Sequence, residues 1–109
     1  MEKEVAHSDY FKSVYKIVKE IPQGKVTTYG LIAEALGSKR KARVVGYALN
    51  AVISGTGIPC HRVVNRNGEL SGSPSFDSPT LMRELLEAEN IEFINNVVNL
   101  KKHLWYPKI

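Results

Sequence analysis

The stretch from 27 to 50, TTYGLIAEALGSKRKARVVGYALN, decides the fold. Thr27 and Thr28 are two candidate helix caps, because a short hydroxyl side chain can accept a hydrogen bond from a free N–H in the first turn. Behind them Leu31, Ile32, Ala35 and Leu36 recur at helical spacing and give a brief helix one apolar face. Gly37 supplies the left-handed stop, and Ser38 offers a new start. A second stripe then follows in Val45, Ala48, Leu49 and Val52. Two short helices joined around Gly37-Ser38, the second entered through basic residues, have the shape of a helix-turn-helix unit.

Toward the N-terminus, Ser8 is placed to cap a first helix whose apolar stripe is Phe11, Val14, Tyr15 and Val18. Pro22-Gln23-Gly24 ends it, and Lys25-Val26 leads as a short extended piece into the threonines. On the other side, Ser54-Gly55-Thr56-Gly57 cannot continue a helix and reads as a loop. Val63-Val64 is a candidate strand, Asn67-Gly68 a turn, and the Ser-, Pro- and Gly-rich segment 71–79 an exposed loop. Ser78 as cap and Pro79 at the first helical position open a fourth helix, with Leu81, Met82, Leu85 and Leu86 inward and Asn90 as its stop. In the tail, 91–109, apolar patches at Phe93, Val97, Val98, Leu104 and Trp105 predict that it packs back on the rest. The expected architecture is mainly α, a winged-helix-like helix-turn-helix domain with one or two short strands, spanning 1–109 as a single unit.

A length of 109 residues suits one compact domain. No run of about 18 apolar residues is present to span a bilayer, and the charged start Met1-Glu2-Lys3-Glu4 is unlike a signal peptide. The expected setting is therefore the cytoplasm, or the nucleus in a eukaryote. The net charge of +4 says less than its distribution: Lys39, Arg40, Lys41 and Arg43 fall within five residues, with Arg62 and Arg66 beyond. Such clustering suits a phosphate-rich partner, since each neutralised phosphate releases condensed counterions.

A lone cysteine is usually a small buried apolar residue, but the neighbours of Cys60 point elsewhere. Pro59 fixes the backbone before it, His61 adjoins it as a candidate base, and the charge of Arg62 is expected to favour thiolate. A third group must orient the imidazole; Glu89, Glu84, Glu87 and Asp77 are all candidates on spacing. The other histidines, His7 and His103, lie near the chain ends, so no metal-ligand spacing appears, and no glycine-rich phosphate loop follows a strand. No cofactor is expected.

Ile58-Pro59-Cys60-His61-Arg62-Val63-Val64 resembles the active-site signature of the O6-alkylguanine-DNA alkyltransferases. Gly24-Lys25-Val26-Thr27-Thr28-Tyr29-Gly30 is similar to the family's opening of the helix-turn-helix. Ala42-Arg43-Val44-Val45-Gly46 resembles its recognition helix, and Leu85-Leu86-Glu87-Ala88-Glu89 its closing helix. The resemblance runs from about Tyr10 to Ile91 and lacks the separate N-terminal domain of many members. It implies a DNA repair protein that flips O6-alkylguanine out of duplex DNA and keeps the alkyl group on Cys60 in a stoichiometric reaction. His61 then takes the thiol proton through a water, and Glu89 holds His61. Arg43 fills the space left by the base, and Tyr29 crowds the phosphate of the flipped nucleotide. Thr28, Lys39, Arg40, Lys41 and Arg62 are the further DNA-binding candidates, and Tyr29, Val63 and Ser73 those for the substrate pocket. A monomer is expected.

Two departures from the family pattern stand out. Val52-Ile53 occupies the place of a family Asn, with Asn50 two residues away. After Gly68-Glu69-Leu70-Ser71-Gly72, Ser73-Pro74-Ser75-Phe76 replaces a Tyr and paired glycines. These features and the tail ending in Trp105-Tyr106-Pro107 resemble the alkyltransferase-like proteins, which flag the lesion for nucleotide excision repair without transfer. Those proteins typically carry Trp at the cysteine position; this chain keeps Cys60. A sequence-specific helix-turn-helix regulator is a further reading, but it leaves the Cys60 segment unexplained.

Overall fold

The computed structural model describes residues 2–52 and 56–108, with residues 2–8 described in backbone only. Helix α1 spans Glu2–Glu20, so Ser8 lies within it and not at its start. The correction has a simple cause: Glu, Lys and Ala are strong helix formers and nothing before Ser8 breaks the run. Phe11, Val14, Tyr15 and Val18 do face inward, and Ile17 and Ile21 widen the stripe. The turn at Pro22 closes with Lys25 N–H donating to the Pro22 carbonyl at 3.1 Å.

Strand β1 is Thr27–Thr28, and the second threonine also caps helix α2, Tyr29–Ala35: its Oγ1 accepts from Leu31 N–H at 3.1 Å. Helix α2 ends as the glycine predicts. Gly37 sits at φ +115, its N–H donates to the Glu34 carbonyl and the Ser38 N–H to that of Ala33, each at 3.0 Å. Ser38 Oγ accepts from Arg40 N–H at 3.2 Å, capping a 3-10 turn over Lys39–Lys41 that leads into α3, Ala42–Asn50. Val45, Ala48 and Leu49 are buried on α3, while Val52 lies beyond the helix end. Together α1, α2 and α3 enclose one core, in which Val14, Val18, Ile32, Val45 and Ala48 have no exposed surface. Tyr15 Oη donates to the Ala48 carbonyl at 2.7 Å and ties α1 to α3.

Half of the expected loop at 54–57, together with Ile53, falls outside the described residues. Beyond it β2, Val63–Val64, pairs in parallel with β1, Thr27 opposite Val63 and Thr28 opposite Val64. Helix α4 is Leu81–Ala88 and begins two residues after Pro79. Ser78 is not its cap: the Ser78 carbonyl accepts from Leu81 N–H at 3.3 Å, so Ser78-Pro79-Thr80 forms a turn before the helix. Asn90, at φ 65, ends α4; its N–H donates to the Glu87 carbonyl and that of Ile91 to the Leu86 carbonyl.

The tail packs back, as its apolar patches predict. Phe93–Ile94 (β3) and Val97–Val98 (β4) form an antiparallel hairpin, whose two turn residues Asn95 and Asn96 have φ 52 and 69. Helix α5, Leu100–His103, follows, and Leu104 then pairs in parallel with Val26 just ahead of β1. Val26, Val64, Met82, Leu86, Ile91 and Val98 make a second core between α4 and the tail. The fold is mainly α, with its short strands serving as joints between helices.

Candidate functional site

The sulfur is positioned by local backbone geometry. Pro59, at φ −80 and ψ 68, is the centre of an inverse γ-turn in which Cys60 N–H donates to the Ile58 carbonyl at 2.8 Å. Cys60–Arg62 then make a single 3-10 turn that feeds straight into β2. Its parallel pairing with β1 fixes this turn against the start of α2.

Glu89 is the hub of the site. It occupies the C-terminal cap of α4, where the helix opens and its side chain is free to turn back toward the 3-10 turn. Its Oε2 lies 2.9 Å from His61 Nε2. A carboxylate only accepts, so that nitrogen carries a proton, and in the neutral ring Nδ1 is left as the acceptor. Arg62 grips the same carboxylate through Nε, at 3.0 and 3.2 Å, and through Nη2 at 2.8 Å. Its Nη1 donates to the Ile21 carbonyl at 2.8 Å. Burial alone would raise the Glu89 carboxyl, but the bonds from Arg62 and His61 and the Gly24 N–H outweigh it and hold it below the ordinary range.

Of the four acids open on spacing, Glu89 is the one that bonds to His61 among the described residues. Glu84 accepts from Thr80 Oγ1 and Glu87 pairs with Arg83, while Asp77 lines the same cavity as Cys60 but is exposed.

Cys60 and His61 share the wall of a cavity of about 240 Å³, closed on its apolar side by Leu49, Phe76, Leu81 and Leu85. Burial pushes the Cys60 thiol up to about 11 from an ordinary 9.0, against a weaker backbone hydrogen bond that lowers it. The expected help of Arg62 toward thiolate is absent, because its charge is balanced by Glu89 at the closest approach. The guanidinium faces inward and does not join the basic turn at 39–41.

The cavity also contains what the sequence did not reveal. Asn50, at the end of α3, accepts a 2.6 Å hydrogen bond from Ser75 Oγ, and both line the cavity. The Ser-Pro segment at 73–75 is thereby tied to the end of α3. No local signal announces a contact across 25 residues of sequence. Ser75, and not Ser73, reaches the cavity; Ser73 is partly buried at the start of its own 3-10 turn. Val63 is fully buried in the core.

Three of the DNA-binding candidates, Thr28, Tyr29 and Lys39, line a second, open groove of about 680 Å³ with Arg66, Asn67 and Tyr106. Thr28 is almost fully buried and acts as the α2 cap. Burial raises the Tyr29 hydroxyl, with a hydrogen bond to Ser71 opposing it and the nearby Cys60 charge adding to it. Arg40 and Arg43 are exposed, and Arg43, in the first turn of α3, makes no ion pair with another described residue. Lys41 Nζ lies 5.2 Å above the Tyr10 ring, a cation–π contact. Among the described residues, no cluster of His, Cys, Asp or Glu could hold a metal ion, and no helix is long and apolar enough to cross a membrane.

Residues 9–91 match the family described as 6-O-methylguanine DNA methyltransferase, DNA binding domain. Alkyltransferase-like protein 1 of Schizosaccharomyces pombe is 35% identical over 104 residues, covering 91% of this chain and 96% of that protein. The DNA base-flipping protein of Escherichia coli is 39% identical over 108 residues, covering 96% of this chain and 78% of its own length. The crystal structure of S. pombe Atl1 in complex with damaged DNA containing O6-carboxymethylguanine superposes with a TM-score of 0.81 at 34% identity, covering 92% of this chain and 97% of that one. The signature around Cys60, the helix-turn-helix and the Glu89 cap thus occur together on a shared fold, and the chain belongs to the 6-O-methylguanine DNA methyltransferase DNA-binding-domain family.

Proposed function

We propose that the chain binds duplex DNA carrying O6-alkylguanine, draws the damaged base from the stack and moves its alkyl group to Cys60 in a single-turnover reaction. The observation that carries this reading is Cys60 beside His61 on the wall of one cavity, with His61 held from behind by Glu89. In the proposed step Cys60 Sγ bonds to the alkyl carbon as the carbon–O6 bond breaks. The thiol proton passes to His61 Nδ1, directly or through a water, and the departing guanine takes up a proton. The thioether has no route back, so each molecule acts once.

Everting a base costs a few kcal/mol, which an inserted side chain and phosphate contacts offset. Arg43 is the inserted residue in this reading, and Tyr29 crowds the phosphate of the everted nucleotide. Lys39, Arg40 and Lys41 contact the backbone near Thr28. Arg62, occupied by Glu89, supports the carboxylate. The test is incubation with a duplex containing O6-methylguanine followed by mass analysis of the Cys60 peptide. A gain of one methyl group is expected; an unmodified thiol on saturated protein would sink the transfer step.

A second reading has its own support. The raised Cys60 thiol and the likeness to an alkyltransferase-like and a base-flipping protein over nearly the whole chain favour a damage-binding protein that flags the lesion for excision repair. It requires binding to alkylated DNA to survive Cys60→Ala with Cys60 unmodified in the wild type.

A further inference from the structure

His103 is a buried histidine that the site described above does not use, and it lies past residue 91, where the family match ends. Its partners fix its proton. Glu92 N–H donates to Nε2 at 2.9 Å, so that nitrogen is bare. Nδ1 stands 3.0 Å from the Gly24 carbonyl, which only accepts, so Nδ1 carries the proton and donates it. The backbone repeats this tie: Val26 N–H donates to the His103 carbonyl at 3.0 Å, and Trp105 N–H to the Val26 carbonyl at 2.7 Å. The tail therefore holds the segment 24–26 by two rungs and a ring.

On its other side Gly24 points to the site. Its N–H donates to Glu89 Oε1 at 3.4 Å, and Glu89 holds His61. We propose that His103 is a positioning residue for Cys60, His61 and Glu89, acting through Gly24, so that the tail is a working part of the site. With the ring in place, the Gly24 turn keeps its N–H aimed at the carboxylate, which then presents His61 with Nδ1 toward the cavity. Without it the Gly24 carbonyl loses its side-chain tie and only the backbone rungs at Val26 remain, so the Gly24 N–H is aimed less firmly at Glu89. This inference rests on the triad reading of the preceding subsection.

Two substitutions separate the ring's two bonds. Asn puts an amide donor where Nδ1 stands, keeping the bond to Gly24. Gln reaches the place of Nε2, offering an acceptor to Glu92 N–H but no donor to Gly24. In the full chain, three quantities are measured for His103→Asn and His103→Gln: the single-turnover transfer rate from an O6-methylguanine duplex, the Kd for that duplex, and the amide exchange of Gly24. The Gln variant is expected to lose about threefold to tenfold in rate at unchanged Kd, as one modest hydrogen bond implies, with faster Gly24 exchange. The Asn variant is expected to stay within about twofold of wild type, the margin left by a kept hydrogen bond.

Both variants at the wild-type rate, or both falling in step with their urea midpoints, overturn the proposal and leave His103 as a tail anchor. Loss of transfer in Glu89→Gln without loss in His103→Gln also overturns it while sparing the triad. If wild-type protein transfers nothing, the transfer reading fails separately and Gly24 exchange decides. Acceleration in the Gln variant alone upholds the relay; equal exchange in both refutes it.

Discussion

The burial of Cys60 makes a quantitative claim about its chemistry at rest. With the thiol raised to about 11, the thiolate fraction at pH 7.5 is roughly 3 × 10⁻⁴, against roughly 3 × 10⁻² for a thiol at the ordinary 9.0. Thiolate population therefore falls about a hundredfold. The rarer thiolate is more nucleophilic, by about sixfold to tenfold for a pKa higher by about two at a Brønsted slope near 0.4–0.5. Population wins, and folded protein should react with iodoacetamide roughly tenfold more slowly than the same chain unfolded in urea. Access to the cavity also slows the folded rate, so the shape of the pH profile is the decisive quantity. Cys60 alkylation, followed by mass analysis from pH 6 to pH 10, is expected to climb about tenfold per pH unit across the whole range. The unfolded chain should level off near its ordinary value. A folded profile that flattens below pH 9 would refute the reasoning, since it would mean a thiolate already stabilised by its surroundings.

Glu89→Gln should lower stability at neutral pH by about 2–3 kcal/mol, because it leaves the Arg62 guanidinium uncompensated. The folded carboxyl is depressed, so its contribution is present above its ordinary value of 4.5 and lost as pH falls through the lower folded value. Urea denaturation should accordingly show the gap between wild type and variant closing in acid; a gap constant with pH would contradict it. Gly68→Ala should cost about 2–4 kcal/mol, from an alanine forced to φ +83 and a Cβ placed 2.7 Å from the Val98 carbonyl oxygen. A thermal midpoint equal to wild type would show that the tail does not pack on this turn. Neutralising Lys39, Arg40 and Lys41 together should flatten the salt dependence of DNA binding, by about 0.9 in log–log slope for each phosphate left without its cation. An unchanged slope would mean that other cations meet the DNA backbone.

Features set by local chemistry could be read from the sequence. Gly37 closes α2 because it takes the left-handed conformation at the helix end, and Ser38 caps the next turn because its hydroxyl can accept from the free Arg40 N–H. The candidate pair Cys60-His61 could be picked out because the residues are adjacent. Spacing alone left the orienting acid open among Glu84, Glu87, Glu89 and Asp77, and the family resemblance pointed to Glu89; the cap geometry at the end of α4 is what turns Glu89 toward His61. Pairing of Thr27-Thr28 with Val63-Val64 was equally hidden, since a two-residue strand carries no alternation to read. Arg62 shows the limit most clearly. Its sequence position beside the cysteine suggested a charge acting on sulfur, but the fold turns its guanidinium onto a carboxylate 27 residues away.

Under the transfer reading, that use of Arg62 bears on how a single-use thiol would survive until it is needed. The guanidinium and Glu89 cancel at close range, and the His61 proton faces the carboxylate, so no unbalanced positive charge is left to draw a proton from Cys60. Apolar walls from Leu49, Phe76, Leu81 and Leu85 add to the cost of charging the sulfur. Thiolate is the form that oxidants attack, and oxidation beyond sulfenic acid is irreversible without a dedicated rescue. A standing thiolate would speed transfer but would also expose the one cysteine to loss before any lesion arrives. In that reading, holding the thiol neutral beside the imidazole would defer ionisation to the moment when an electrophilic carbon lies in the cavity. The same arrangement explains how one constellation can serve either reading. Transfer then depends on how closely the alkyl carbon approaches sulfur in the Asn50–Ser75 cavity, and not on the protonation state the protein sets in advance.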